Sequence, residues 1–194
     1  MTALVVAALA EEVAEVRDVE VLVTGVGKAV ASAALARRLA SGDPPDIVVN
    51  VGTAGAVAPI GTGLHEVGFV TQHDFPYAAI EALVGPLERG YRLEPRTSPQ
   101  PVLVVPPGLV TLATADVFVA DAERAAAIAA AGVHLVDMEG FAYAATCAAF
   151  DVPFRCVKAV SDRADADAGD SWLDTIAACA VALADWVACH IPAG

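Results

Sequence analysis

Three carboxylic acids follow three apolar runs at matching places in this chain. Glu12 comes just past Leu4 to Leu9, Glu139 just past His134 to Val136, and Asp162 just past Phe154 to Val160. The runs read as buried strands, and ligands of parallel α/β sheets bind at the carboxyl ends of such strands. Two acids converging there divide into a general acid and a general base when their surroundings differ. A single acid at such a place is usually a helix cap or a surface charge. Three at equivalent positions are harder to dismiss. The densest stretches are Val136-Asp137-Met138-Glu139-Gly140 and Val157-Lys158-Ala159-Val160-Ser161-Asp162.

Helices must alternate with these strands to bring the acids together. Strands are expected at Leu4 to Leu9, Val19 to Thr24, Asp46 to Val51, Val67 to Thr71, Leu103 to Val105, Leu109 to Ala113, His134 to Val136 and Phe154 to Val160. A short helix or turn is expected at Glu11 to Arg17. Longer helices are expected from Lys28 to Ala40, Asp121 to Ala131 with Asp121 as N-cap, Glu139 to Phe150, and Ser171 to Cys189. Pro76 to Pro101 has no sustained period and reads as a long loop with one helical turn around Ala78 to Leu83. The alternation gives one α/β domain over residues 1–194, a three-layer sandwich around a largely parallel, mixed central sheet.

The 194 residues suit one domain with a full core. Hydrophobic residues make up 57%, and mean hydropathy is +0.60. A membrane span needs about 20 consecutive apolar residues, and the longest candidate, Ile176 to Ile191, is broken by Asp185. A buried sheet with an apolar subunit interface is the better reading, so a homo-oligomer is expected and no membrane partner. The net charge of -13, from 24 acidic and 11 basic residues, argues against nucleic acid. Cys147, Cys156, Cys179 and Cys189 form no Cys-x-x-Cys pair and read as core thiols of a cytoplasmic protein. The first apolar run lacks a basic leader and reads as a core strand rather than a signal peptide.

Other motifs are weaker. Gly25-Val26-Gly27-Lys28 follows a strand and opens a helix, but Val30 stands where a dinucleotide fingerprint needs its third glycine. Ala29 stands where a phosphate loop needs serine or threonine. A tight turn is the better reading. Gly52-Thr53-Ala54-Gly55 reads as a turn of small residues that lets a ligand approach the backbone. The aspartates from Asp162 to Asp170 fail the calcium-loop pattern, since Ile176 falls at its bidentate acid position. The four histidines lack zinc-ligand spacing. Gly-x-Ser-x-Gly is absent.

Taken in order, several segments resemble the purine nucleoside phosphorylase and nucleosidase superfamily, and most closely its methylthioadenosine/S-adenosylhomocysteine nucleosidases. They are Ala8-Leu9-Ala10-Glu11-Glu12-Val13, Thr24 to Lys28, Asn50 to Gly55, Ala115-Asp116-Val117-Phe118, Asp137-Met138-Glu139, and Val152 to Asp165. Only Phe75 to Pro101 falls clearly outside them.

The resemblance implies hydrolysis of a purine nucleoside's N-glycosidic bond, with water as co-substrate and no metal or organic cofactor. Glu12 would activate the water, and Asp162 would protonate purine N7. Glu139 would hold the ribose hydroxyls, with Met138 against the sugar and Thr53 where relatives carry serine. Phe118 would stack on the base, Val119 would meet it through its backbone, and Trp172 would stand near base and sugar. Ala54, Gly55, Asp137 and Ser161 complete the implied substrate-binding set. Asp162 must then deliver a proton near neutrality, which requires surroundings that disfavour its charge.

In relatives the region of Phe75 to Pro101 and a partner subunit enclose the group on the 5′ carbon. A homodimer is therefore implied, and the 5′ group stays open between methylthioadenosine, adenosylhomocysteine and futalosine types. A phosphate-dependent phosphorylase is the alternative, although it needs cations around phosphate and the early loops offer only Lys28 and Arg17. A nucleoside-binding protein without catalysis is a further alternative. Ala56 and Gly140 depart from the family's usual glycine and alanine, changes expected to affect packing.

Overall fold

The structure, a computed structural model, describes residues 2–191. Its first strand, β1 (Ala3–Ala7), is buried at every position. Alternate side chains face opposite layers: Leu4 and Val6 join one core cluster, while Ala3, Val5 and Ala7 join another. This two-sided burial explains why the strand reads as an unbroken apolar run.

β1 pairs in parallel with β2 (Glu20–Val23) on one edge and with β3 (Ile47–Ala56) on the other. β10 (Phe154–Asp162) runs parallel to β3 from Val48 to Gly55 and pairs antiparallel with β4 (Leu64–Glu66). Beyond β3 the sheet continues through β9 (Leu135–Asp137), β8 (Thr111–Thr114), β5 (Phe69–Gln72), β6 (Gly90–Arg92) and β7 (Gln100–Val102). The sheet is thus mixed, with a parallel centre and antiparallel pairings at β4, β9, β6 and β7.

One break in this order creates the site. β10 occupies one edge of β3, so β1 and β9 must share the other. β1 reaches Asn50 of β3, and β9 takes up the same edge only at Gly55 and Ala56, antiparallel. The carboxyl ends of β1 and β9 therefore point at each other across residues 51–54, an interval with no strand partner on that edge. Side chains placed just past either strand enter this gap.

Helices cover both faces. α1 (Lys28–Ala40) and α4 (Gly140–Ala149) close one layer, where Leu35, Leu39 and Tyr143 pack on Leu4, Val48 and Phe154. α5 (Ala168–His190) closes the other through Cys179, Leu183 and Val187. By length and composition α5 would be long and apolar enough to cross a membrane; here its buried face packs on the sheet. α3 (Ala122–Ala130) is capped as expected, with Asp121 accepting from the Arg124 amide at 2.7 Å.

Four local expectations differ from the structure. Gly52 to Gly55 is not a turn but the interior of β3. Residues 76–101 hold an eight-residue helix, α2 (Tyr77–Val84), and the hairpin of β6 and β7, so this segment is not one long loop. The strand expected at Leu103 to Val105 lies slightly earlier, at Gln100–Val102. β4 was not anticipated, because three residues are too few to show a period.

Leu183 is fully buried between α5 and the sheet. Leu183→Ala is expected to cost about 2–5 kcal/mol, read as a lower urea midpoint with an unchanged slope.

Candidate active site

Glu12 sits in a single 3-10 turn, Ala10–Val13, that follows β1. Its carboxylate turns back across the gap onto β3. Oε1 accepts from the Thr53 amide at 2.7 Å and from Thr53 Oγ1 at 2.9 Å. Among the described residues, Oε2 accepts only from the Leu9 amide, at 3.1 Å. A carboxylate oxygen has two lone pairs, so Oε2 is the oxygen left with room for a water. Trp172 Nε1, from α5, donates to the same Thr53 hydroxyl at 3.0 Å, which leaves the hydroxyl hydrogen for Glu12.

Asp162 ends β10, where the pairing with β3 shifts by one residue between Val160 and Asp162. This bulge aims the carboxyl into the gap, as bulges near active sites do. Ser161 Oγ donates to its Oδ2 at 2.7 Å, and the Ala164 amide donates to Oδ1 at 2.8 Å.

Glu139 stands at the N-cap position of α4, just past β9, with its side chain free of any capping bond. Its Oε1 accepts from the Gly27 amide at 2.7 Å. Gly25 and Gly27 both adopt positive φ, 89° and 100°, so the tight turn expected there needs glycine. The turn's function within this site is to point an amide at Glu139. Burial, followed by repulsion from Asp137, raises the Glu139 pKa from the usual carboxylate range to about 7.

All twelve residues singled out from the sequence line one crevice of about 190 Å³. Thr53, Ala54 and Gly55 form its floor on β3. Asp137, Met138 and Glu139 enter from β9, and Ser161 and Asp162 from β10. Phe118, Val119 and Val26 also line it, and Trp172 comes from α5. Glu12, Glu139 and Asp162 are all buried.

Asp137 is bound up within the protein. Thr114 Oγ1 donates to its Oδ1 at 2.6 Å, and Gly140 N and Lys158 Nζ reach its Oδ2 at 2.8 and 2.9 Å. Lys158 and the donating amides of Leu9 and Gly27 were missed from sequence. The amides carry no residue-type signal. Lys158 does carry one, as a buried cation in a largely apolar strand.

The two cations that the early loops offer for a phosphate are both engaged elsewhere. Lys28 Nζ is held by Asp74 at 2.7 Å and by Gln72 at 3.0 Å. The α1 N-terminus, the usual anion site, already gives its Lys28 amide to Asp116 Oδ1 at 2.8 Å. Arg17 donates to the carbonyls of Ala14 and Val16.

Two glycines let the carboxylates approach the strand. A Cβ on Gly52 would stand 2.9 Å from Glu12 Oε1, and one on Gly55 would stand 2.8 Å from Asp162 Oδ1. Neither glycine has a positive φ, so the requirement is space rather than backbone conformation. Gly140 is similarly confined, since a Cβ there would meet Leu112 and Asp137. Gly52→Ala is expected to fold, because the added Cβ meets the end of the Glu12 side chain and no backbone, but it should displace that carboxylate from Thr53. Turnover should fall by about 10²-fold or more, the scale of a displaced general base. Near-normal turnover would separate the Glu12 position from activity.

Comparison with known proteins identifies the family. The phosphorylase superfamily profile matches residues 10–187. A 5′-methylthioadenosine/S-adenosylhomocysteine nucleosidase from Actinobacillus succinogenes is 34% identical over 171 residues, covering 80% of this chain and 73% of the relative. Among solved structures, the Streptococcus pneumoniae MTA/SAH nucleosidase with 8-aminoadenine superposes with a TM-score of 0.79 at 21% identity, covering all of both chains. A futalosine hydrolase mutant of Helicobacter pylori superposes with a TM-score of 0.77 at 16% identity, covering 97% of this chain and 97% of that one. With the crevice and its carboxylates described, the extent of these matches shows that this chain belongs to the phosphorylase superfamily, on the side of its methylthioadenosine/S-adenosylhomocysteine nucleosidases.

Proposed function

We propose that this protein hydrolyses the N-glycosidic bond of 5′-substituted adenosines of the methylthioadenosine and adenosylhomocysteine type, releasing adenine and the ribose derivative. One observation carries the reading: three buried carboxyls on three strand ends share a crevice that also holds Phe118 and Trp172. Breaking the bond develops positive charge on the sugar and negative charge on the base. Asp162 protonates N7, so the purine departs neutral. Glu139 accepts hydrogen bonds from the ribose hydroxyls and faces the developing sugar cation. Glu12 Oε2 takes a proton from the water that attacks C1′. Thr53 and Trp172 hold Glu12 in place, Met138 packs on the sugar, Phe118 stacks on the base, and Val119 meets the base through its backbone.

Water is favoured over phosphate as the nucleophile, because the Lys28 ammonium is held by Asp74 and the Lys28 amide by Asp116. An ionised Glu12 would also repel phosphate. No metal or cofactor enters the scheme, and no cluster of metal-ligating side chains occurs among the described residues.

We also infer a homodimer in the cytoplasm. A crevice of about 190 Å³ encloses only part of a nucleoside. Phe118 stands half exposed at its mouth. α2 buries none of its own residues, leaving Leu83 and Val84 80% and 68% exposed. Apolar surface of this kind marks a subunit contact. All four cysteines are unpaired thiols, which suits a reducing compartment. Sedimentation at micromolar concentration is expected to give twice the 19.7 kDa chain mass; a monomer there would contradict the dimer.

Activity is tested with methylthioadenosine, adenosylhomocysteine, futalosine and adenosine, each with and without phosphate, by following free base chromatographically. Base release from the first two in phosphate-free buffer is expected, and Asp162→Asn should abolish it while folding normally. Strict dependence on phosphate would overturn hydrolysis, and near-native turnover by Asp162→Asn would remove Asp162 from the mechanism.

A further inference from the structure

Lys158 has no part in the scheme above, yet among the described residues it is the one buried lysine or arginine. It lies on β10 opposite Gly52 and shares its strand face with Phe154 and Cys156, which pack beneath α1 and α4. Its Nζ stands 2.9 Å from Asp137 Oδ2, and the two side chains are 3% and 2% exposed. A buried charge persists only when it is paired and hydrogen-bonded. Around it are three buried or nearly buried carboxyls, those of Glu12, Asp137 and Glu139. One ammonium cannot balance all of them, so its position decides which carboxyls can be ionised.

We propose that Lys158 is a positioning residue that, by neutralising Asp137 in the crevice lining, allows Glu139 two residues along to act as a carboxylate. This rests on the hydrolase reading for the use to which Glu139 is put. The groups facing Glu139 come from every side: Asp137 from β9, Lys158 from β10, Glu12 from the turn after β1, the Gly27 amide from the turn before α1, and Tyr143 from α4.

The signs follow from these neighbours. Burial is the largest influence raising the Glu139 pKa, and Asp137 and Glu12 add to it. The Gly27 amide and Lys158 oppose it. Burial also works against the Lys158 ammonium, but the surrounding carboxyls, Asp137 first, hold its pKa above the usual lysine value. Removing the ammonium leaves Asp137 unbalanced and moves the Glu139 midpoint up. Removing the Asp137 charge frees the ammonium to favour ionised Glu139 and moves the midpoint down. Ribose hydroxyls donate to the ionised form, so kcat/KM rises with pH through that midpoint.

The test is the pH profile of kcat/KM for adenine release from methylthioadenosine, with Tm, for wild type, Lys158→Met, Asp137→Asn and the double variant. The acid limb of Lys158→Met is expected to move up by about one unit or more, the scale of a lost neighbouring charge. Its loss at low pH should be about tenfold or more and should recover at high pH. Asp137→Asn should move the limb down, and the double variant should return it close to wild type.

Equal losses at every pH with the limb unmoved would reduce Lys158 to a packing role and overturn the proposal. So would a double variant displaced as far as Lys158→Met alone. If Lys158→Met does not fold, the downward shift of Asp137→Asn and the return in the double variant decide the matter. If wild type releases no adenine, the hydrolase reading fails separately. The same shifts are then read from the Glu139 carboxyl carbon by ¹³C NMR titration, and their absence would overturn the proposal.

Discussion

A carboxylate can lie against the backbone of a strand only where the strand carries no side chain. β3 meets this condition twice, at Gly52 for Glu12 and at Gly55 for Asp162. These approaches bring two acids from different ends of the chain to one stretch of backbone, 150 residues apart in sequence but three apart on β3. Everything else at the site follows from keeping that stretch accessible. β1 stops at Asn50 and β9 begins at Gly55, so the edge between them stays open for substrate.

An open edge inside a buried sheet is an electrostatic liability. Its exposed amides are met by the acids themselves, as when Thr53 N binds Glu12. The acids then crowd one another in a poorly solvated space, where charge is costly. The fold meets this with neutral donors around each acid and one ammonium below them. Gly27, Leu9, Ala164 and Ser161 are therefore as much a part of the site as the acids they bind. The same arrangement suits a reaction in which a sugar turns cationic. Carboxyls that repel one another in the resting protein gain a positive partner in the transition state, the differential binding that catalysis requires.

Much of this was legible in the sequence. Strands buried on both faces appear as unbroken apolar runs, and an acid directly after such a run marks a sheet edge; Glu12, Glu139 and Asp162 were found in this way. The open edge was not legible. Gly52 to Gly55 looks like a turn because glycine serves both for turns and for close approach, and sequence does not separate the two. Residues 76–101 resisted reading because α2 is short and packs little, and the β6–β7 hairpin carries Pro101 within a strand. Lys158 was visible as a cation in an apolar strand, but its meaning depends on Asp137, which only the tertiary structure places beside it. Family resemblance supplied the roles that geometry alone does not name.

The most direct test of the central claim is a crystal structure with a non-hydrolysable 5′-thioalkyl adenosine analogue bound. The expected complex has purine N7 within about 3 Å of the Asp162 carboxyl, both ribose hydroxyls on Glu139, and a water between Glu12 Oε2 and the anomeric carbon. A nucleoside seated outside the β1–β9 gap, or turned so that N7 points away from Asp162, would contradict the account.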